Sequence, residues 1–314
     1  MSGVAVRAVA AAAAATLPLL LGVACARIEL GFTGAFGAYL VVISHPDLPA
    51  HGRAPRLGVT VGLFAAAGTI GATAGMRPWV FIPLAIAGAV GQAWTEIADN
   101  GLRFPVAMSV LAMLLAAGNV SPTVPASAYA AAFAGGAVWQ AFVQAIVAPR
   151  GAADEQGVAA DLAGLRAGAA AARPFVAVMA ALGLVGGTVA AFLPVPHAAW
   201  LLTAALRVMK PSRDLTLTRL RHRFIGAACG AILAGALLAG QLPALVHAAV
   251  LWGALSIMQL IGARRYALWT LCLTVVALDL GMLPQASGWV LPANRLMLTI
   301  GGLALAIPFS LRLP

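Results

Sequence analysis

Acidic side chains are nearly missing from this chain: nine aspartates and glutamates stand among 314 residues, and charged residues of both signs make up only 9%. Soluble domains carry roughly 25% charged residues, and a chain that is 62% hydrophobic cannot hide so much apolar surface from water. A soluble fold is thereby excluded. Cysteine is equally scarce. Cys25, Cys229 and Cys272 each lie inside apolar sequence, where a thiol acts as a small hydrophobe, so neither a disulfide framework nor a metal site is expected. Period-two alternation is also missing, which argues against a transmembrane barrel. Zinc-protease, P-loop and serine-elbow signatures are lacking. His45, His51, His197, His222 and His247, with Asp47 beside the first two, therefore carry no enzymatic reading. No cofactor is expected.

What the chain has instead is long apolar runs separated by short turns. Only helices satisfy every backbone polar group within one segment in lipid, so the fold class is all-α, a polytopic integral membrane protein. At about 20 residues per crossing, shortened where Pro and Gly crowd the turns, about twelve spans are expected. They fall near 8–26, 30–44, 57–75, 78–95, 104–118, 126–148, 174–193, 197–209, 224–240, 243–262, 266–283 and 291–311.

The net charge of +10 does not point to nucleic acid, because the basic residues sit at the ends of apolar runs with few aromatics between them. Counted from a cytoplasmic N-terminus, Arg7, Arg53, Arg56, Arg103, Arg150, Arg166, Arg173, Arg207, Lys210, Arg213, Arg219, Arg221, Arg223, Arg264, Arg265 and Arg312 fall inside, and only Arg27, Arg77 and Arg295 outside. That asymmetry predicts both termini cytoplasmic, in an inner membrane. Arg7 followed by an Ala-rich run and Ala24-Cys25-Ala26 also fits a cleavable secretory signal, although a matching first span in the second half favours retention.

The stretch from Trp200 to Gly240 organises the rest: two apolar segments joined by a basic turn, with Gly226 and Gly230 one helical turn apart just beyond it. Such a glycine pair lets a second helix approach closely. An echo occurs earlier, where Thr33-Gly34-Ala35 precedes a Pro-containing basic connection and then Gly58 and Gly62. Six spans separate the copies, an even number, which predicts two parallel repeats of six helices. The expected organisation is a first membrane repeat over 1–148, a cytoplasmic linker with a short helix over 149–173 and a second repeat over 174–314, with no soluble domain.

The same hairpin resembles the fusaric acid resistance family, also described as aromatic acid exporter-like proteins. Trp200-xx-Thr203, Pro211, Thr216, Thr218, the run Arg219-x-Arg221-x-Arg223-xx-Gly226-xxx-Gly230, and Tyr266 after a later basic turn carry the resemblance. It is clearest over 197–283 and weaker over 30–75. It implies proton-motive-force-driven export of small organic, chiefly aromatic carboxylic, acids, with a homo-oligomer and a periplasmic adaptor as further expectations. Plant relatives imply an anion channel as the alternative. A non-transporting membrane scaffold of an envelope complex is the third reading. Ala227 departs from the Thr usual there, and the large cytoplasmic domain of longer members has no counterpart.

Several residues stand out as candidates for substrate binding or coupling. Asp279 lies in an apolar run, where an ionised carboxylate needs compensation. It is expected either to pair with Arg295 across a hairpin or to carry a coupling proton. Arg207 precedes the basic turn and either snorkels to headgroups or faces inward toward an anionic substrate, which a guanidinium grips at two points. Arg219, Arg221 and Arg223 read as topological anchors or ligand contacts. Glu96 and Asp99 share a helix face beside Arg103, as a solvated end or a proton-accepting pair. Trp200 and Trp269 read as interface anchors or as rings stacking on an aromatic acid. Glu29 is expected to pair locally with Arg27, while Asp154, Glu155, Asp161 and Asp214 are read as loop acids.

Overall fold

The computed structural model describes residues 3–44, 53–119, 124–147, 157–240, 242–280 and 289–314. These form helices and turns, with no strand among them. The helices are α1 (Gly3–Ala24), α2 (Ile28–Ser44), α3 (Arg53–Ala74), α4 (Pro78–Ala98), α5 (Arg103–Asn119), α6 (Ala126–Val147), α7 (Val158–Phe192), α8 (Ala199–Val208), α9 (Arg213–Ala239), α10 (Ala244–Ile261), α11 (Tyr266–Leu280) and α12 (Val290–Ser310). Seven of them, α1, α3, α4, α6, α7, α9 and α12, are long and apolar enough to cross a membrane. The outer surface is apolar as well: Trp79, Phe142, Ile146, Phe192, Val290 and Met297 are all well exposed. Contiguous apolar surface of that kind would drive aggregation in water. It fits a multi-pass membrane protein.

Each expected span contains a helix, but two helices begin far earlier than their apolar runs. α7 is 35 residues long, or about 52 Å, against about 30 Å of hydrocarbon; its apolar window covers only Ala172–Phe192. Residues 158–171, which carry Asp161 and Arg166, continue the helix instead of forming a linker with a short helix of their own. α9 starts at Arg213, where Ser212 caps it by accepting from the Leu215 amide and Asp214 sits in the first turn, favourably placed at the positive end of the helix dipole. Arg219, Arg221 and Arg223 are therefore on a helix, not in a connection. Arginine and leucine are good helix formers, so polarity ends an apolar run without ending a helix.

Consecutive helices run antiparallel, so the N-terminal end of α1 lies on one face with the basic turns. We call this the basic face and its opposite the far face. Contacts across it include Arg213 N–H to the Pro314 carbonyl. Helix α2 packs on α6, and α3 on α5 and α6; α8 packs on α12, and α9 on α11 and α12; α1 meets α10, and α4 meets α7.

Glycines set the closest approaches. A Cβ at Gly226 would strike the Ala267 carbonyl and Thr270 on α11, and one at Gly230 would come within 2.7 Å of the Leu271 carbonyl and 2.8 Å of Thr274. The α9–α11 contact is built as the spacing predicts. Gly58 and Gly62 differ: among the described residues nothing lies within 4 Å of a Cβ at either, and both are exposed. Among the described residues, neither packs against another helix. α3 turns Arg56, Leu57, Thr60 and Phe64 inward instead, and its close approach to α5 comes two turns later, at Gly71 against the Met113 carbonyl and Ala116.

Candidate anion-binding site

Besides Arg56, three arginines are inside the bundle. Arg207 ends α8, Arg223 lies ten residues into α9 at 3% exposure, and Arg295 sits in the second turn of α12 at 5%. Tyr39 of α2, fully buried, lies within electrostatic reach of all three. This brings α2, α8, α9 and α12 together around one positively charged interior. Among the described residues no carboxylate comes within 4 Å of any of these arginines.

Aromatic rings take up part of the charge. The Arg295 guanidinium lies 4.4 Å from the centroid of the Trp200 ring, and His197 stacks on the same ring at 4.5 Å with 11° between planes. Towards the basic face, Arg219 covers Tyr266 at 4.6 Å, Arg223 Nη1 donates to the Tyr266 hydroxyl at 3.4 Å, and Trp269 stacks beside Tyr266 at 6.0 Å. A ring quadrupole offsets only about 1–2 kcal/mol of a buried cation. Arg223 Nε, Arg295 Nη1 and the Tyr39 hydroxyl have no hydrogen-bond partner among the described residues. Arg207 lines a narrow crevice with Gln92, Thr203 and Leu206. It faces inward and does not snorkel outward; Arg223 is likewise buried, while Arg219 is half-buried over Tyr266.

The acids stand elsewhere. Asp279 is not the partner of Arg295: its Oδ1 is 2.5 Å from His247 Nδ1, because the far-face end of α11 packs on the start of α10 while Arg295 is turned onto α8. Glu96 and Asp99 do not form a pair with each other. Glu96 contacts Lys210 and reaches Arg103 at 4.0 Å, whereas Asp99, at the left-handed C-cap of α4 with φ 42°, turns out to solvent and contacts Arg103. Burial pushes the Lys210 ammonium down to about 8, against the upward pull of Glu96. Thr216 closes the same turn, accepting from the Lys210 amide at 3.0 Å and donating to the Ser212 carbonyl at 2.9 Å.

Asp161 is no loop acid. It is buried in the first turn of α7, 3.0 Å from Arg56 Nη2, and also accepts from the Gly101 amide at 3.1 Å. Arg27 and Glu29 line one pocket at the α1–α2 turn. His45, Asp47, His51, Asp154 and Glu155 lie outside the described residues. Sequence reasoning passed over Tyr39 and weighed His247 only as an enzymatic or metal residue, not as a partner of Asp279. Each is a lone polar side chain within an apolar run, GAYLVV and ALVHAAV, the signal that singled out Asp279.

Residues 180–309 match the family model described as fusaric acid resistance protein-like. The match covers α8 to α11 complete, most of α12 and the apolar end of α7, and so includes Trp200, Arg207, Arg219, Arg223, Tyr266, Asp279 and Arg295. No curated protein and no solved structure matches the chain.

Proposed function

Proceeding from the match of residues 180–309 to the fusaric acid resistance protein-like family model, a family of membrane transport proteins, we propose that the protein exports small organic acids, chiefly aromatic carboxylates, across a bacterial inner membrane at the expense of the proton-motive force. The observation that carries this reading is the set of buried arginines without an acid. An uncompensated cation in a low-dielectric interior is costly, and a transported carboxylate would supply both the missing charge and acceptors for the free N–H groups of Arg223 and Arg295. Planar guanidinium groups suit a planar carboxylate. Trp200, Tyr266 and Trp269 offer rings beside it.

The helix pairings support two parallel repeats of six spans each. α8 on α12, α9 on α11 and α12, and α7 on α4 reproduce α2 on α6, α3 on α5 and α6, and α1 on α10, each shifted by six helices. The anion site then lies between α2 of one repeat and α8, α9 and α12 of the other, as expected where repeats rock against each other. The basic face is cytoplasmic and the far face periplasmic, with Arg27 and Arg77 on the latter.

An anion channel is the second reading. It is favoured by the spread of arginines from Arg295 near the far face to Arg219 near the basic face, an electrostatic pathway for anions that needs no coupling site. Flux of labelled benzoate in proteoliposomes separates the two. A pump accumulates benzoate against its gradient when a pH gradient is imposed, while a channel passes current and never accumulates it beyond the membrane potential. Arg223→Gln should cut either flux about tenfold or more, the usual cost of removing one partner of a buried charge contact. Wild-type flux that Arg223→Gln leaves unchanged would remove the arginines from the transport path. An impermeant maleimide tests orientation: Cys25 should react from outside and a Ser212→Cys variant should not.

A further inference from the structure

The far-face end of the bundle holds a second polar site, apart from the arginines. Asp279, on the last turn of α11, is 3% exposed and His247, on the first turn of α10, is partly exposed. One carboxylate oxygen is bonded to the imidazole at 2.5 Å, while the other, Oδ2, is buried with no hydrogen-bond partner among the described residues. The helices packed on α11 carry other ionisable groups: Arg213, Asp214, Arg219, Arg221, His222, Arg223 and Cys229 on α9, Arg295 on α12, and Glu29 and Tyr39 on α2. Of these and the remaining described groups, His247 alone acts electrostatically on Asp279. A carboxyl group bonded through one oxygen and bare at the other can hold a proton without any other contact having to break.

We propose that Asp279, reached through His247, is the site at which this transporter takes up and releases its coupling proton. The proposal rests on the export reading above. A proton arriving from the far-face solution adds to His247 Nε2, and the proton on Nδ1 moves to Asp279 Oδ1. The imidazole ends neutral in the other tautomer, and the carboxylate has become a carboxyl. Release reverses these two transfers only after the site has turned to the opposite solution, so that the proton leaves on the basic-face side and one proton crosses per cycle. In the proposed orientation the far face is the proton-rich side, so loading there runs in the direction that export by antiport requires.

The fold links this site to the anion. α11 is a single helix of 15 residues, about 22 Å long. Asp279 sits at one end and Tyr266, hydrogen-bonded to Arg223, at the other. It also carries the backbone that Gly226 and Gly230 of α9 touch. Neutralising Asp279 alters the hold of α10 on one end of a rigid rod whose other end touches the substrate arginines. The two occupancies thereby compete for one helix position.

The test uses the full chain, purified and in proteoliposomes, as wild type, Asp279→Asn, Asp279→Glu and His247→Gln. Infrared difference titration between about pH 5 and pH 9 should show a carboxyl C=O band that Asp279→Asn removes and His247→Gln shifts. With labelled benzoate, Asp279→Asn should lose gradient-driven accumulation by about tenfold or more while counterflow stays within about twofold, since an amide cannot titrate in that range. Asp279→Glu should keep part of both activities. A wild-type spectrum lacking the Asp279 band, or gradient-driven accumulation surviving in folded Asp279→Asn, overturns the proposal. Should Asp279→Asn not fold, His247→Gln decides: unchanged accumulation and an unshifted band overturn it equally. If the wild type moves no benzoate, the export reading fails, and the infrared band alone decides whether Asp279 binds a proton.

Discussion

Arg295 lies on the Trp200 ring, 4.4 Å from its centroid, and this contact holds α12 against α8 at the far-face end of the arginine-lined interior. Cation and ring both depend on shape here, since a guanidinium is flat and weakly hydrated whereas an ammonium is compact and strongly hydrated. Arg295→Lys is expected to keep the charge and lose the stacking, raising the apparent KM for benzoate about fivefold to thirtyfold, with Arg295→Gln worse, as befits a contact worth about 1–2 kcal/mol. Trp200→Phe should fall between wild type and Trp200→Ala. Equal kinetics for Arg295→Lys and wild type would show that the stacking is idle.

The two glycine pairs should respond oppositely. Gly226→Leu drives a side chain into the Ala267 carbonyl and should cost about 1–3 kcal/mol or prevent folding, as overpacking does. Gly58→Leu meets open space and should leave the thermal midpoint of the detergent-solubilised protein unchanged. A lowered midpoint for Gly58→Leu would contradict the orientation of α3.

Asp161 ties the start of α7 to α3 through Arg56, with both side chains nearly inaccessible to solvent. Asp161→Asn strands a buried guanidinium, and a loss of about 3–5 kcal/mol is expected from such a break. Arg56→Met combined with Asp161→Leu should recover most of it. Thermal unfolding of the single and double variants measures both, and an unaffected single variant would show the pair to be ornamental.

Lys210 gives a pH dependence with a definite sign. Its pKa is lowered in the folded protein from 10.5 to about 8, so between those limits the unfolded chain binds the extra proton and the folded chain does not. Stability should therefore rise with pH across that window, and the contribution is lost as pH falls through about 8. In thermal unfolding, the wild type should gain on Lys210→Gln from about pH 8 to pH 10. A difference between the two that does not vary with pH would mean that Lys210 titrates as it does in water.

Helix positions were readable from the sequence because apolar runs of membrane length leave few alternatives, and the Gly226 and Gly230 contact was readable because small residues one turn apart define a face. What escaped were the relationships across the bundle. Nothing in local sequence tells Asp279 that its neighbour is His247 rather than Arg295, since both lie at the far face and the choice depends on how α10 and α12 rotate about their axes. The extended starts of α7 and α9 escaped for another reason: hydropathy marks where lipid ends, whereas capping and propensity decide where a helix begins. Asp161 was missed on that account, its polar surroundings resembling a loop.

Helix α8 is only 10 residues long, about 15 Å against a hydrocarbon layer of about 30 Å. Whatever fills the remaining depth at its ends, Trp200 and Arg207 are separated by scarcely half the membrane. Where water penetrates from both faces to a thin septum, the transmembrane voltage drops almost wholly across that septum, at about 2.3 kcal/mol per elementary charge for each 100 mV. An anion moving along α8 would experience nearly the full field within about 15 Å of travel, so the rate of its passage should be steeply voltage-dependent even if every binding step on either side is not.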